Sequence, residues 1–292
     1  MSGPISGSGC GIEKRGQGTL LLTGANSYSG ATNVNAGTLL VSNSSGSGTG
    51  SGTVNVGING TLGGSGAISG ATFISGHHTP GTSAGVQTFG GNLTYNAGSD
   101  VTWELVADTA TQGSPAVFDR IVVGSGLDFA GTTALILKFD ATGSAVDWTN
   151  AFWDDSRNWL VYDVAGTTSD FSNLSLTVAD WADSTTALFD TIHPGKYFFL
   201  SSPSGEDVML NYLVPGDANL DRYTNASDYV VVSNNYNAGS QWTEGDVNGD
   251  GAVNASDYVE ISNNYGSHAP EPATLALLGL GGLGLILRRK RR

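Results

Sequence analysis

The chain is 292 residues long, room for one or two domains and a tail. With 43 glycines, only 13% charged residues, a formal charge of -14 and a pI near 4.4, it is an acidic, Gly/Ser/Thr/Asn-rich chain of mostly β character. That balance argues against nucleic acid as a partner, because such binding rests on Lys and Arg meeting phosphate, while 39% apolar residues argue against a wholly disordered acidic chain.

The N-terminal stretch MSGPISGSGC contains no apolar segment of the kind a signal peptide needs, and its Cys10 is the single cysteine, so no intrachain disulfide can staple the fold. The expectation is that a true N-terminus with a signal peptide precedes this sequence.

From Gly18 the chain reads GTLLLTGANSYSGATNVNAGTLLV, and Gly-Thr followed by a short run recurs at Gly18, Gly37, Gly52 and Gly60. Runs this short cannot bury a face alone and must stack on copies of themselves. Residues Gly18 to Leu39 closely resemble the autotransporter-associated β-strand repeat, and the likeness fades beyond about Gly70. The expected fold class is therefore mainly β: a parallel β-helix solenoid over residues 1–140, with weaker copies continuing in GTVNVGINGTLGGSGAISG and FDRIVVGSGLDFAGTTALIL. Alternation in Leu93-Thr94-Tyr95 and in Val101 to Leu105 predicts strands. His77-His78 reads as a loop pair, since no third ligand stands at a metal-site spacing.

Residues 141–213 change texture, with Trp148, Phe152, Trp153, Trp159, Tyr162, Phe171 and further aromatics between acidic loops. A solenoid end exposes apolar edges that must be covered, so this region is expected to be an aromatic-rich β cap. Glu104, Asp119, Asp154, Asp155 and His193 are the available groups for paired-carboxylate glycoside chemistry, but no spacing in the sequence unites them and no catalytic constellation is identified.

Residues 214–267 carry one pattern written twice. Asp217, Asn219, Asp221, Asn225 and Asp228 stand at positions 1, 3, 5, 9 and 12 of one twelve-residue loop. Asp246, Asn248, Asp250, Asn254 and Asp257 stand at the same positions of another. This spacing turns alternate oxygens toward one hard cation, with the position-7 carbonyls of Tyr223 and Ala252 completing a calcium set of about 6 to 8 oxygens. YVVVSNNYN and YVEISNNYG follow the loops, and the spacing of Tyr229/Val230/Val232/Tyr236 and Tyr258/Val259/Ile261/Tyr265 predicts one apolar face of a short helix in each copy.

Two loop-helix units with Asp at position 12 and Asn-Ala-x-Asp closing each loop resemble a type I dockerin module, over about Pro215 to Gly266. The resemblance implies two calcium ions and docking to a cohesin-like partner, or intramolecularly, through positions 10 and 11, here Ala226-Ser227 and Ala255-Ser256. Arg222 departs from the glycine preferred at position 6, where a side chain at positive φ costs about 1 kcal/mol or more, so the second loop is expected to bind calcium more tightly.

The C-terminal segment, 268–292, combines Pro270-Glu271-Pro272, an apolar run from Ala273 to Leu287, and Arg288-Arg289-Lys290-Arg291-Arg292. The run is about 22 Å long as a helix against a hydrocarbon core of roughly 30 Å, so it would span with help from snorkelling basic residues. The tail is similar to the PEP-CTERM sorting signal of Gram-negative and planctomycete-like bacteria. That implies export, transient membrane anchoring through the helix, and cleavage near Pro270 to Pro272 by an exosortase.

The preferred reading is a non-enzymatic exported surface or matrix protein, a β-helix stalk with a calcium-organised docking module and an extracellular polysaccharide among its partners. The alternative is a secreted polysaccharide-active enzyme on the same scaffold, supported by fold analogy alone.

Overall fold

The computed structural model describes residues 3–139, 146–147, 150–154, 157–176, 197–213, 216–219, 221, 223–239, 242–248 and 251–266. The chain divides into two units, 1–150 with 157–212 and 151–156 with 213–292.

The first unit is mainly β. Its 12-stranded sheet, counted among the described residues, pairs in parallel and curls, because two long strands bend midway and each serves two columns. In the first column, β1 (Ile12–Lys14) pairs with the start of β3 (Thr32–Val41), which pairs with the start of β4 (Val54–Gly64). There follow β6 (Thr72–Ile74), β9 (Leu93–Tyr95), β12 (Leu127–Phe129) and β15 (Thr168–Ser169). In the second column, β2 (Thr19–Leu22) pairs with the end of β3, and β7 (His77–Pro80), β10 (Ser99–Glu104), β13 (Thr133–Lys138) and β16 (Leu174–Leu176) continue from the end of β4. A separate sheet stacks β5 (Ala67–Ile68), β8 (Val86–Phe89), β11 (Arg120–Val123) and β14 (Arg157–Val164), then β18 (Val208–Leu213) and β17 (Tyr197–Ser201).

The register follows from the period-2 alternation of strands, which sends every second side chain inward. Val34, Val56, Ile74, Tyr95 and Phe129 lie opposite one another, and all are buried. Ile68, Phe89, Val123 and Val164 form a second inward ladder. Each such side chain contributes about 1.5–3 kcal/mol by leaving water. The recurrent Gly-Thr dipeptides have the same origin, since Thr19, Thr38 and Thr61 are partners in register. Glycine recurs at the corners because successive backbones rest on one another there. A Cβ on Gly70 would lie 1.9 Å from the Gly52 carbonyl oxygen, and one on Gly52 would lie 2.1 Å from that of Gly30.

Parallel stacking continues beyond the visible repeat and past position 140, where β14, β15 and β16 add to the three columns. The later rungs are filled by aromatics. Tyr95 and Phe129 stack at 5.5 Å, and Tyr162 meets both edge-on at 6.1 and 5.7 Å. The antiparallel pairing of β18 with β14 ends the parallel series in that sheet.

One expectation fails here. His77-His78 is not a loop but the start of β7, and His78 occupies an inward rung between Leu62 and Val101. It is fully buried, its ring nitrogens bonded to the Tyr95 hydroxyl at 2.6 Å and the Gln87 side-chain oxygen at 2.8 Å. Burial lowers its pKa to about 4, keeping the ring neutral among apolar neighbours.

The second unit contains the helices α1 (Ala226–Asn235) and α2 (Ala255–Asn263). Among the described residues no helix is long and apolar enough to cross a membrane. The apolar run 273–287 lies outside the described residues.

Candidate functional site

The two loops of the second unit fold alike because each begins and ends on the same chemistry. Asn225 and Asn254 cap the helices, accepting from the backbone N–H of Ser227 and Ser256 at 2.9 Å. The position-12 carboxylates close the capping boxes, where Asp228 and Asp257 accept from the Asn225 and Asn254 backbone N–H at 2.8 Å. Their other oxygens reach back to the loop entrance, Asp228 to the N–H groups of Ala218 and Asn219, Asp257 to those of Val247 and Asn248. One side chain thus joins the first residues of the loop to the first turn of the helix.

The remaining predicted oxygens interlock around these two. Asp217 accepts from the N–H of Asp221, and Asp246 from that of Gly251. Asn219 donates to Asp221 at 2.9 Å and to the Ser227 hydroxyl at 2.7 Å, and Asn248 donates to the Ser256 hydroxyl at 2.6 Å. The carbonyls of Tyr223 and Ala252 accept from Asn225 and Asn254. Positions 1, 3, 7, 9 and 12 are therefore gathered in both loops, together with position 5 in the first. Arg222 and Asp250 lie outside the described residues, as do Pro270, Glu271 and Pro272. Gly251, at position 6 of the second loop, has φ +86, the left-handed geometry that motivates glycine there.

The donor set suits a hard cation by its chemistry. Asp217, Asp228, Asp246 and Asp257 are all buried. Burial, and to a smaller extent the nearby Asp221 charge, raises the Asp228 carboxyl above the usual range. Burial, with a smaller contribution from Asp246, does the same for Asp257. Among the described residues no three His, Cys, Asp or Glu side chains are grouped as a metal cluster.

The halves are bound to each other reciprocally. Asn237, after α1, donates to the Val253 carbonyl of the second loop at 2.8 Å, and Gly266, after α2, donates to the Thr224 carbonyl of the first at 2.8 Å. Gly245 and Gly216, each preceding a loop, let the opposite helix approach. A Cβ on Gly245 would lie 2.8 Å from the Val232 Cα, and one on Gly216 would lie 3.1 Å from the Ile261 Cα. Val232, Ile261, Val247, Val253 and Ala218 form the buried core. Tyr229 and Tyr258 stack at 5.8 Å, flanked by Tyr265 and Tyr236.

This packing corrects one detail of the apolar stripe. Val230 and Val259 are 56% and 57% exposed, not part of the core, because the inward face runs through Tyr229/Val232 and Tyr258/Ile261. Ala226 and Ala255 are exposed at the first helical turn. Ser227 and Ser256 are half-buried, and their hydroxyls tie positions 3 and 9 together, a role that spacing did not suggest.

The candidate catalytic groups stand otherwise. Asp119 is buried in the first unit, and its two oxygens accept from the N–H of Gly85 at 2.7 Å and of Glu104 at 2.9 Å. Burial pushes its pKa well up. Glu104 itself pairs with Lys138 at 2.9 Å. Asp154 ends a short 3-10 turn, Ala151–Asp154, and Asp155 and His193 lie outside the described residues.

Matches to three family models mark the chain as that of an exported cell-surface or extracellular protein with a docking segment of calcium-binding type. Residues 215–266 match the dockerin type I domain, residues 12–41 the passenger-associated-transport-repeat, and residues 268–292 the PEP-CTERM protein-sorting motif. A stretch of 75 residues, 26% of this chain, is 45% identical to the adhesin BmaC autotransporter of Brucella suis biovar 1 (strain 1330). It covers 2% of that protein's length.

Proposed function

We infer that this chain is a non-enzymatic display protein, a parallel β-helix stalk that presents a docking module whose two loops each hold one calcium ion. The ligands are Asp217, Asn219, Asp221, the Tyr223 carbonyl, Asn225 and Asp228 in one loop, and Asp246, Asn248, Asp250, the Ala252 carbonyl, Asn254 and Asp257 in the other. Bound calcium neutralises carboxylates that otherwise repel one another, so ion binding and folding of this module are one equilibrium. The docked partner is cohesin-like and meets Ala226-Ser227 or Ala255-Ser256. The tail anchors the chain transiently in the inner membrane before cleavage near Pro270 to Pro272.

The observation that carries this reading is the agreement of the two loops in their capping boxes, in their position-12 anchors and in the reciprocal bonds between halves. An Asx-rich turn needs no such duplication. The likeness to an adhesin supports display at a surface. The test is calorimetric titration of the full chain with calcium, followed by far-UV circular dichroism. Two binding events with gain of helix are expected, the second loop binding more tightly; no uptake of calcium would falsify the reading.

A further inference from the structure

The first unit bears a cleft that the docking reading leaves unused. It encloses about 510 Å3 on the outward face of the second column of strands. Its floor follows from register. Outward positions of adjacent strands place Leu40 beside Gly63, Gly63 beside Thr79, and Thr102 beside Ile136. Gly63 makes the hollow, since it offers no side chain between Leu40 and Thr79, and a Cβ there would lie 2.9 Å from both. Glu104 and Lys138, partners in register on β10 and β13, close one side with their ion pair. Thr82 and Ser83, in the turn after β7, form the rim.

We propose that this cleft binds a neutral, hydroxyl-rich saccharide. Leu40, Pro80 and Ile136 offer low apolar relief for the C–H face of a sugar ring, while the hydroxyls of Thr79, Thr82, Ser83 and Thr102 can both donate and accept. The Glu104 carboxylate accepts from paired sugar hydroxyls, and the Lys138 ammonium donates to a ring or hydroxyl oxygen. Because the two charges cancel locally, and the chain carries a formal charge of -14, a polyanionic ligand is disfavoured. Its volume lies within the range of about 300–1,000 Å3 usual for small-molecule sites. The lining comes from the first unit only, so the site is independent of calcium and of any docked partner.

The experiment is calorimetry of the full chain, in calcium, against xylohexaose, mannohexaose, cellohexaose and laminarihexaose, with trigalacturonate as the acidic counterpart. At least one neutral oligosaccharide should bind. Glu104→Gln should weaken that binding about tenfold or more, the scale of a lost charge-assisted bond. Thr82→Trp, on the exposed rim, should block the cleft with an unchanged melting temperature, which keeps the test valid if Glu104→Gln disturbs the fold. The proposal is overturned if none of the neutral sugars binds, if Thr82→Trp leaves their affinity unchanged, or if trigalacturonate binds more tightly than any of them. Failure here leaves calcium uptake by the second unit untouched, and the reverse holds as well.

Discussion

The two units repeat themselves in different ways. In the first, strands pair in parallel with their counterparts in the preceding repeat, and a residue meets its own equivalent, Val34 on Val56 on Ile74. In the second, the copies face each other, and a residue meets something other than its equivalent: the N–H of Asn237 bonds to the carbonyl of Val253 and that of Gly266 to Thr224. Stacking tolerates drift, because a rung asks only for an inward side chain of suitable size. Thus the ladder passes from Val to Tyr95 and Phe129 without losing register. Facing copies tolerate little, because each bond and each close approach requires its counterpart. The repeat of the first unit therefore fades in sequence while it persists in space, whereas that of the second remains readable residue by residue.

The largest effect expected from this contrast is selective collapse. Chelating calcium should abolish the helical signal of the second unit and leave the β signature of the first, giving two separate transitions in a calorimetric scan. A single, jointly shifted transition would show that the units do not respond independently.

Acid should act on the first unit through His78. Its folded pKa, about 4, is depressed below the usual 6.5, so the unfolded chain takes up a proton that the folded chain refuses as pH falls between those values. That loss amounts to about 3 kcal/mol at full extent. The raised pKa of Asp119 works in the opposite direction, adding stability as pH falls. His78→Leu should remove the first component only, and the difference between wild-type and variant denaturant midpoints at pH 7 and pH 4.5 measures it. In the second unit the raised carboxyls of Asp228 and Asp257 make the calcium-free form less stable as pH rises from about 4. Protons and calcium compete for these groups, so calcium affinity should climb over the same interval.

Gly245→Val tests the facing geometry directly. A Cβ there would crowd the Val232 backbone at a φ of +108, so destabilisation of about 2 kcal/mol or more is expected in urea melts of the calcium-loaded chain. Arg222→Gly should act in the other direction, raising calcium affinity at the first loop about fivefold, equivalent to about 1 kcal/mol. Unchanged affinity at both sites would refute the position-6 argument. Smallest of all is Val230→Ser, which should alter stability by less than about 0.5 kcal/mol, since that side chain lies outside the core.

The doubled loops were legible because their polar side chains lie within twelve residues, and helix capping is equally local. Strands at Leu93–Tyr95 and over Val101 to Leu105 were legible for the same reason, through alternation, the second running from Ser99 to Glu104 in the structure. What sequence could not supply was contact at a distance. His78 looked like a polar loop residue because the groups that satisfy it, Tyr95 and Gln87, belong to other strands. Val230 looked buried because it sits beside Tyr229 in an unbroken apolar run, whereas the core of Val232, Val247, Val253, Ile261 and Ala218 takes another side of the helix. The Glu104–Lys138 pair spans two strands of the second column, and nothing in the intervening residues announces it.

The bond from Gly266 to Thr224 carries a mechanical consequence. Gly266 is where the second helix hands over to the C-terminal segment, so a pull on that segment reaches this bond before it reaches α2. Thr224 belongs to the first loop, and the load therefore passes to the opposite half of the module. Tension applied from the tail end therefore reaches both loops rather than the second alone.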